Sequence, residues 1–185
     1  MKITELKIQN TEELLELEEQ MYWQSGDWNK LWQDEAKKKF RVFIKDYLTK
    51  FPQGCFGLVD DNGNLLGTMF LLKTSKSIPI PYLHNPFDYY DNNGDKAYVS
   101  FFVVREGKDQ LDIAQKLYDE AEKVALLKLR CGNIVVTIYS SPLEEQILIS
   151  NNYEKQPQKY EWEIYPSINV ESWIYINSLL MKQAL

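Results

Sequence analysis

The chain has one histidine, His84, and two cysteines, Cys55 and Cys131, with no Cys-x-x-Cys spacing. One imidazole and two distant thiols cannot supply an ordinary zinc ligand set without carboxylates, so no metal site is expected. The same scarcity reads as two free thiols in a reducing cytoplasm. No apolar stretch reaches the ~18 residues of a membrane span. Met1-Lys2-Ile3-Thr4-Glu5 also lacks the apolar run of a leader, so no membrane partner is expected. Positive charge is scarce as well. Lys and Arg total 21 against 27 Asp and Glu, a net charge of −6, whereas nucleic acid needs a concentrated basic face. The one basic cluster, Lys37-Lys38-Lys39 with Arg41, falls inside a helical pattern and reads as a solvated helix face. Repeats, low-complexity tracts and linkers are absent too, which leaves one domain.

What is present supports a well-packed domain. Hydrophobic residues make up 44% and charged residues 26% of 185, enough for one buried core. Aromatics reach 14%, with twelve Tyr and five Trp, so the core or a cleft is aromatic-rich. Lys2–Ile8 alternates like a strand, and Asn10 or Thr11 then caps a helix, with Glu13 placed for a capping box. A turn holding Gly26 and Asp27 leads to a second helix over about Asp34–Leu48, with an apolar stripe at Phe40, Phe43, Ile44, Tyr47 and Leu48. Residues 55–59 and 65–72, joined through Asn62-Gly63, predict an antiparallel hairpin.

Residues 73–96 carry Pro79, Pro81, Pro86, Asn92, Asn93 and Gly94 and read as a long excursion, which in a compact domain usually serves function. Ala97–Val104 is a central strand by its apolar, β-branched and aromatic run. A helix follows over about 111–129, then a buried strand over 133–139. Ser140 or Ser141 caps another helix with Pro142 first and Glu144 and Glu145 in its first turn, as the helix dipole favours. A last strand spans Lys159–Tyr165, and Val170–Leu185 has helical tendency. The expected division is a domain over 1–166 and a helical extension over 167–185, packed on the domain or on a dimer mate. Trp162, Trp173 and Tyr175 would seat it there.

This order of elements resembles that of the GNAT (GCN5-related N-acetyltransferase) superfamily over roughly residues 2–165. The apolar pair before Gly67 is similar to the family's hairpin. Asn151-Asn152-Tyr153-Glu154 is similar to its Leu-Gly-Phe-Glu corner, with Asn152 standing for Gly at a left-handed helix end. The family's Arg/Gln-x-x-Gly-x-Gly/Ala stretch aligns without gaps on Asp109-Gln110-Leu111-Asp112-Ile113-Ala114, after Val104. The resemblance implies an α/β (α+β) fold with a mixed, largely antiparallel central sheet flanked by helices. It implies acetyl-CoA as co-substrate and an amine of a small molecule or peptide as acceptor.

By the same resemblance, the backbone of Phe102, Val103 and Val104 holds the thioester and pantetheine. Asp109, Gln110, Leu111, Asp112, Ile113 and Ala114 cradle the pyrophosphate on helix amides, and Ser141 contacts pantetheine. The match departs from the family at Asp109 and Asp112. A carboxylate ~4 Å from a phosphate charge costs up to ~4 kcal/mol at an effective dielectric of 20. Arg105, Lys108 or Lys116 are the compensating cations. The family's general-acid Tyr falls on Leu148, and the central strand has no Glu. His84, by its intrinsic pKa, and Tyr98 are the remaining catalytic candidates. Tyr82, Tyr89 and Tyr90, with Asp88 and Asp91, suit an amine acceptor. The departures also motivate an alternative, a catalytically inactive GNAT-fold protein that binds a ligand or partner.

Overall fold

The computed structural model describes residues 1–20, 30–139, 141–165 and 168–179. The expected turn at Gly26 and Asp27, Ser140 as a cap, and the tail beyond 179 lie outside the described residues. The elements run β1 (Lys2–Glu5), α1 (Thr11–Glu18), α2 (Asp34–Lys50), β2 (Cys55–Val59), β3 (Leu65–Thr74), β4 (Lys96–Val104), α3 (Gln110–Lys123), β5 (Asn133–Ile138), α4 (Pro142–Ser150), β6 (Glu154–Tyr165) and β7 (Ile168–Ser178). The strands form one sheet in the order β1-β2-β3-β4-β5-β7-β6, largely antiparallel, with β4 and β5 parallel. The fold class is the mixed α/β arrangement expected. Among the described residues no helix is long and apolar enough to cross a membrane.

The chain gathers into two compact units, residues 1–70 with 101–120, and 71–100 with 121–185. In the first, the α2 stripe buries Phe40, Phe43 and Tyr47 against Phe70 and Phe101. The ring centroids lie 5.1 Å apart for Phe70–Phe101 and 5.4 Å for Phe40–Phe101, edge to face, as ring quadrupoles favour. The hairpin turn is built on Asp60, whose Oδ1 accepts from the amides of Asn62 and Asn64 at 2.9 and 2.8 Å. Gly63 completes it at φ +86°. The capping box at α1 does not form. Glu13 instead accepts from the Leu65 amide at 3.0 Å, so its carboxylate ties α1 to the start of β3.

In the second unit β5 pairs with β7, and β7 with β6. Here the sequence expectation is corrected. Residues 168–178 are a strand rather than the start of a helical extension, and β6 begins at Glu154, five residues before the predicted Lys159. Ile168, Val170, Trp173, Ile174, Tyr175 and Ile176 are β-branched or aromatic, types that fit a pleated surface held between two strands. Pro157 hid the first half of β6, since proline cannot donate to a ladder. β6 accommodates it at a register shift between Lys155 and Lys159, on the outermost strand. Asn152 has φ +61°, the left-handed conformation expected at that corner.

Candidate functional site

β4 delivers the chain to α3. Val103 and Val104 are buried, and the Phe102 ring packs 5.3 Å from that of Tyr118. A turn over 105–109 follows, in which Gly107 sits at φ +153° with open space around it. Gln110 N–H donates to Gly107 O at 3.2 Å and Ile113 N–H to Asp109 O at 2.9 Å, which starts the helix. The first amides of a helix have no acceptor within it and offer an anion site. Asp109, Leu111 and Asp112 are exposed at this end and Gln110 is half-buried, while Ile113 and Ala114 are buried anchors. Gly67 makes the anchoring possible. A Cβ there would lie 3.0 Å from Val103 O, 3.0 Å from Leu117 Cδ1 and 3.1 Å from Ile113 Cγ2. The structure thus brings Phe102 to Ala114 together in one unit.

The cations near this helix end are placed unequally. Lys116 pairs with Asp112 one turn along α3, which offsets the carboxylate at the family's first glycine position. Arg105 is engaged elsewhere: it donates to Leu65 O from Nε at 3.3 Å and Nη2 at 3.2 Å, and to Gln20 Oε1 at 3.2 Å. It straps the start of β3. Lys108 is exposed in the turn.

The catalytic candidates lie in the second unit and part company there. Tyr98 is sealed. Its hydroxyl donates to Thr137 Oγ1 at 2.7 Å and accepts from Ile80 N–H at 3.1 Å, and burial pushes its pKa up to about 12. Trp162 Nε1 donates to Ile80 O at 2.7 Å, so both backbone groups of Ile80 are held and the excursion is pinned. Tyr98→Phe would leave the Ile80 amide and the Thr137 hydroxyl without this partner, with an expected loss of about 2 kcal/mol of stability. Urea denaturation of the variant checks it.

His84 is exposed on the excursion, Nε2 3.4 Å from Glu163 Oε2 and Nδ1 3.4 Å from Tyr89 Oη. Lys76 Nζ sits 4.7 Å from the Tyr89 ring centroid, a cation on that aromatic face. The Tyr90 hydroxyl donates to Asn92 Oδ1 at 3.2 Å, and Tyr82 is half-buried with its amide bonded to Glu163 O at 2.9 Å. The structure therefore groups His84 with Tyr89 and leaves Tyr98 out of that group.

α4 carries a residue that the sequence reading treated only as dipole compensation. Ser141 is the N-cap, its Oγ accepting from Glu144 N–H at 3.4 Å. Glu144 is half-buried one turn before Leu148, which is wholly buried beside Ile147. Burial pushes the Glu144 carboxyl up to about 7, against the opposing pull of its hydrogen bond with Ser141. Its neighbour Glu145 faces elsewhere. The Tyr175 hydroxyl donates to Glu145 at 2.5 Å and Lys155 lies 3.1 Å away, holding that carboxyl below its usual range.

No protein-family pattern and no curated protein matches this chain. Solved structures do. The loading GNATL domain of CurA from Lyngbya majuscula is similar at a TM-score of 0.75 and 11% identity, over 97% of this chain and 98% of that one. The GphF GNAT-like decarboxylase in complex with isobutyryl-CoA is similar at 0.72 and 12%, over 97% and 100%. The PaiA N-acetyltransferase from Thermoplasma acidophilum in complex with coenzyme A is similar at 0.64 and 12%, over 96% and 98%. Element order, strand order and these likenesses agree: the chain has the GNAT fold.

Proposed function

We propose that this protein is a cytoplasmic coenzyme A-dependent N-acetyltransferase that moves the acetyl group of acetyl-CoA onto an amine of a small molecule or peptide. The observation that carries the reading is the exposed α3 N-terminus directly after β4, opened by Gly107 and seated through Gly67. In this reading the amides from Asp109 to Asp112 take the pyrophosphate, and the backbone of Phe102–Val104 takes the pantetheine. The Asp112–Lys116 pair keeps the local charge near neutral. Support also comes from similar folds caught with coenzyme A or isobutyryl-CoA. Tyr82, Tyr89 and Tyr90 would receive the amine, a Tyr face already holding the Lys76 ammonium being chemically apt for it.

Calorimetric titration with acetyl-CoA and with free coenzyme A tests the reading, and no heat at high micromolar ligand would overturn it. Asp112→Gly should tighten coenzyme A roughly fivefold, the equivalent of about 1 kcal/mol for removing one exposed carboxylate beside the phosphates. Unchanged affinity would place the pyrophosphate elsewhere. A second reading, an inactive binding module, is favoured by Leu148, buried in the core where the family carries its acid. Coenzyme A binding without any acetyl transfer would select it.

A further inference from the structure

We propose that the Tyr89 ring face binds a small primary alkylammonium and that Lys76 is its resident cation, which an incoming amine must displace. The role of this face as the acceptor site rests on the acetyltransferase reading above. Lys76 Nζ stands 4.7 Å from the Tyr89 ring centroid, inside the ~6 Å over which a ring quadrupole attracts an ammonium. Among the described residues no carboxylate pairs with that ammonium. The other lysines that stand over rings do have one. Lys37 pairs with Glu19 at 2.9 Å, Lys155 with Glu145 at 3.1 Å and Lys159 with Glu171 at 2.7 Å. In those places the ring contact accompanies an ion pair. At Tyr89 the ring itself holds the cation.

The ring is fixed and the cation on it is removable. Tyr89 N–H donates to Pro86 O at 3.2 Å, and the Tyr89 hydroxyl lies 3.4 Å from His84 Nδ1. His84 is braced in turn by Glu163, and β6 pins the excursion again through Tyr82 N–H to Glu163 O and Trp162 Nε1 to Ile80 O. Lys76 is exposed at the end of a flexible four-carbon stem, so swinging it into water frees the face at small cost. A preorganised ring with a displaceable occupant loses little freedom when a ligand takes the occupant's place. All of these residues lie within one compact unit.

Charge around the ring selects the same ligand class. Burial first, and then the charges of Asp88 and Glu163, raise the Tyr89 hydroxyl above its ordinary range, so the potential around the ring is negative and suits a cation. The resident group states the shape that fits: a primary ammonium on a short alkyl chain. Lys76 also sets a threshold. A tethered ammonium competes at a millimolar effective concentration, so an uncharged molecule of the same length does not take the face from it.

The single histidine makes the test direct, because its imidazole gives one proton resonance and contacts the Tyr89 hydroxyl. n-Butylammonium, which reproduces the lysine stem and head, is titrated into the full chain at fixed pH and ionic strength, with n-butanol as its uncharged counterpart. Butylammonium should move the resonance saturably and n-butanol should not. Lys76→Met keeps the stem and removes the charge, and should tighten butylammonium about fivefold. Tyr89→Leu should abolish saturation. Tyr89→Phe should retain it, which separates loss of the ring from loss of the fold. An equal response to n-butanol, or unchanged affinity in Lys76→Met, would overturn the assignment. Calorimetric titration with coenzyme A runs in parallel. Coenzyme binding without a butylammonium site overturns the assignment and leaves the acetyltransferase reading standing with its acceptor elsewhere. Butylammonium binding without coenzyme binding supports the ammonium site and overturns that reading.

Discussion

Glu144→Gln should make the protein more stable at pH 8 than its parent and bring no such gain at pH 4. The sign follows from where the proton sits. Burial raises the folded-state carboxyl from its ordinary 4.5 to about 7, so the folded chain holds this proton more tightly than the unfolded chain. Stability supplied by the protonated form is complete below about 4.5. It is lost as pH rises through about 7, where the parent must ionise a half-buried carboxyl. The displacement corresponds to up to about 3 kcal/mol, nearer 2 for a carboxyl that solvent still reaches. A neutral amide escapes that loss, which for a chain of this size is a gain of roughly 4–8 °C in melting temperature. Melting curves of both proteins at pH 4 and pH 8 decide it. Equal differences at the two pH values would mean that the carboxyl titrates normally.

Gly94→Ala should be the most damaging single methyl in the excursion. A Cβ at Gly94 would fall 2.3 Å from the carbonyl carbon of Thr74, 2.4 Å from its oxygen and 2.9 Å from the Ser75 nitrogen. All three are backbone atoms, so no side chain can swing aside. The strands would have to separate where the excursion returns. That return is tied by Asp91 N–H to Lys73 O at 3.0 Å, and by Gly132 N–H to Asp95 O at 3.0 Å. Overpacking against rigid neighbours puts the loss at about 3 kcal/mol. The urea midpoint reads it, and a loss under about 1 kcal/mol would show that the return can relax. Gly63 is the useful contrast, because a Cβ there meets nothing within 4 Å and only φ +86° resists substitution. Gly63→Asn should therefore be nearly neutral.

Local sequence made the first half of the fold legible. The hairpin announced itself through two apolar runs about Asn62-Gly63, and the α2 stripe through five apolar residues at helical spacing. The α3 N-terminus could be placed by counting from Val104, since strand, turn and helix start are contiguous. β7 could not be read in this way. Val170, Trp173, Ile174 and Asn177 also fit a spacing of three and four. What makes them a strand is β5 on one side and β6 on the other, and the β5 pairing is settled far away in sequence. The excursion's anchors were hidden for the same reason. Ile80 with Trp162, and His84 with Glu163, are contacts that no periodicity encodes. Glu144 was visible as a residue but not as one partly withdrawn from solvent. A glutamate in a first helical turn normally answers the dipole, and only packing around that turn reverses its preference.

The insertion of β7 between β5 and β6 sets an order on biosynthesis. β6 leaves the ribosome before the strand it pairs with, and β5 before its neighbour on that side. Until β7 follows, the Glu154–Tyr165 strand has no ladder to join, and one side of β5 stays open. β6 and β7 then close as a local hairpin, while joining β7 to β5 is the non-local, slower pairing that completes the sheet in this region. Its nascent form depends on charge for protection in the meantime. Lys155, Lys159 and Pro157, spread along β6, are residues that discourage a waiting edge from recruiting a stranger.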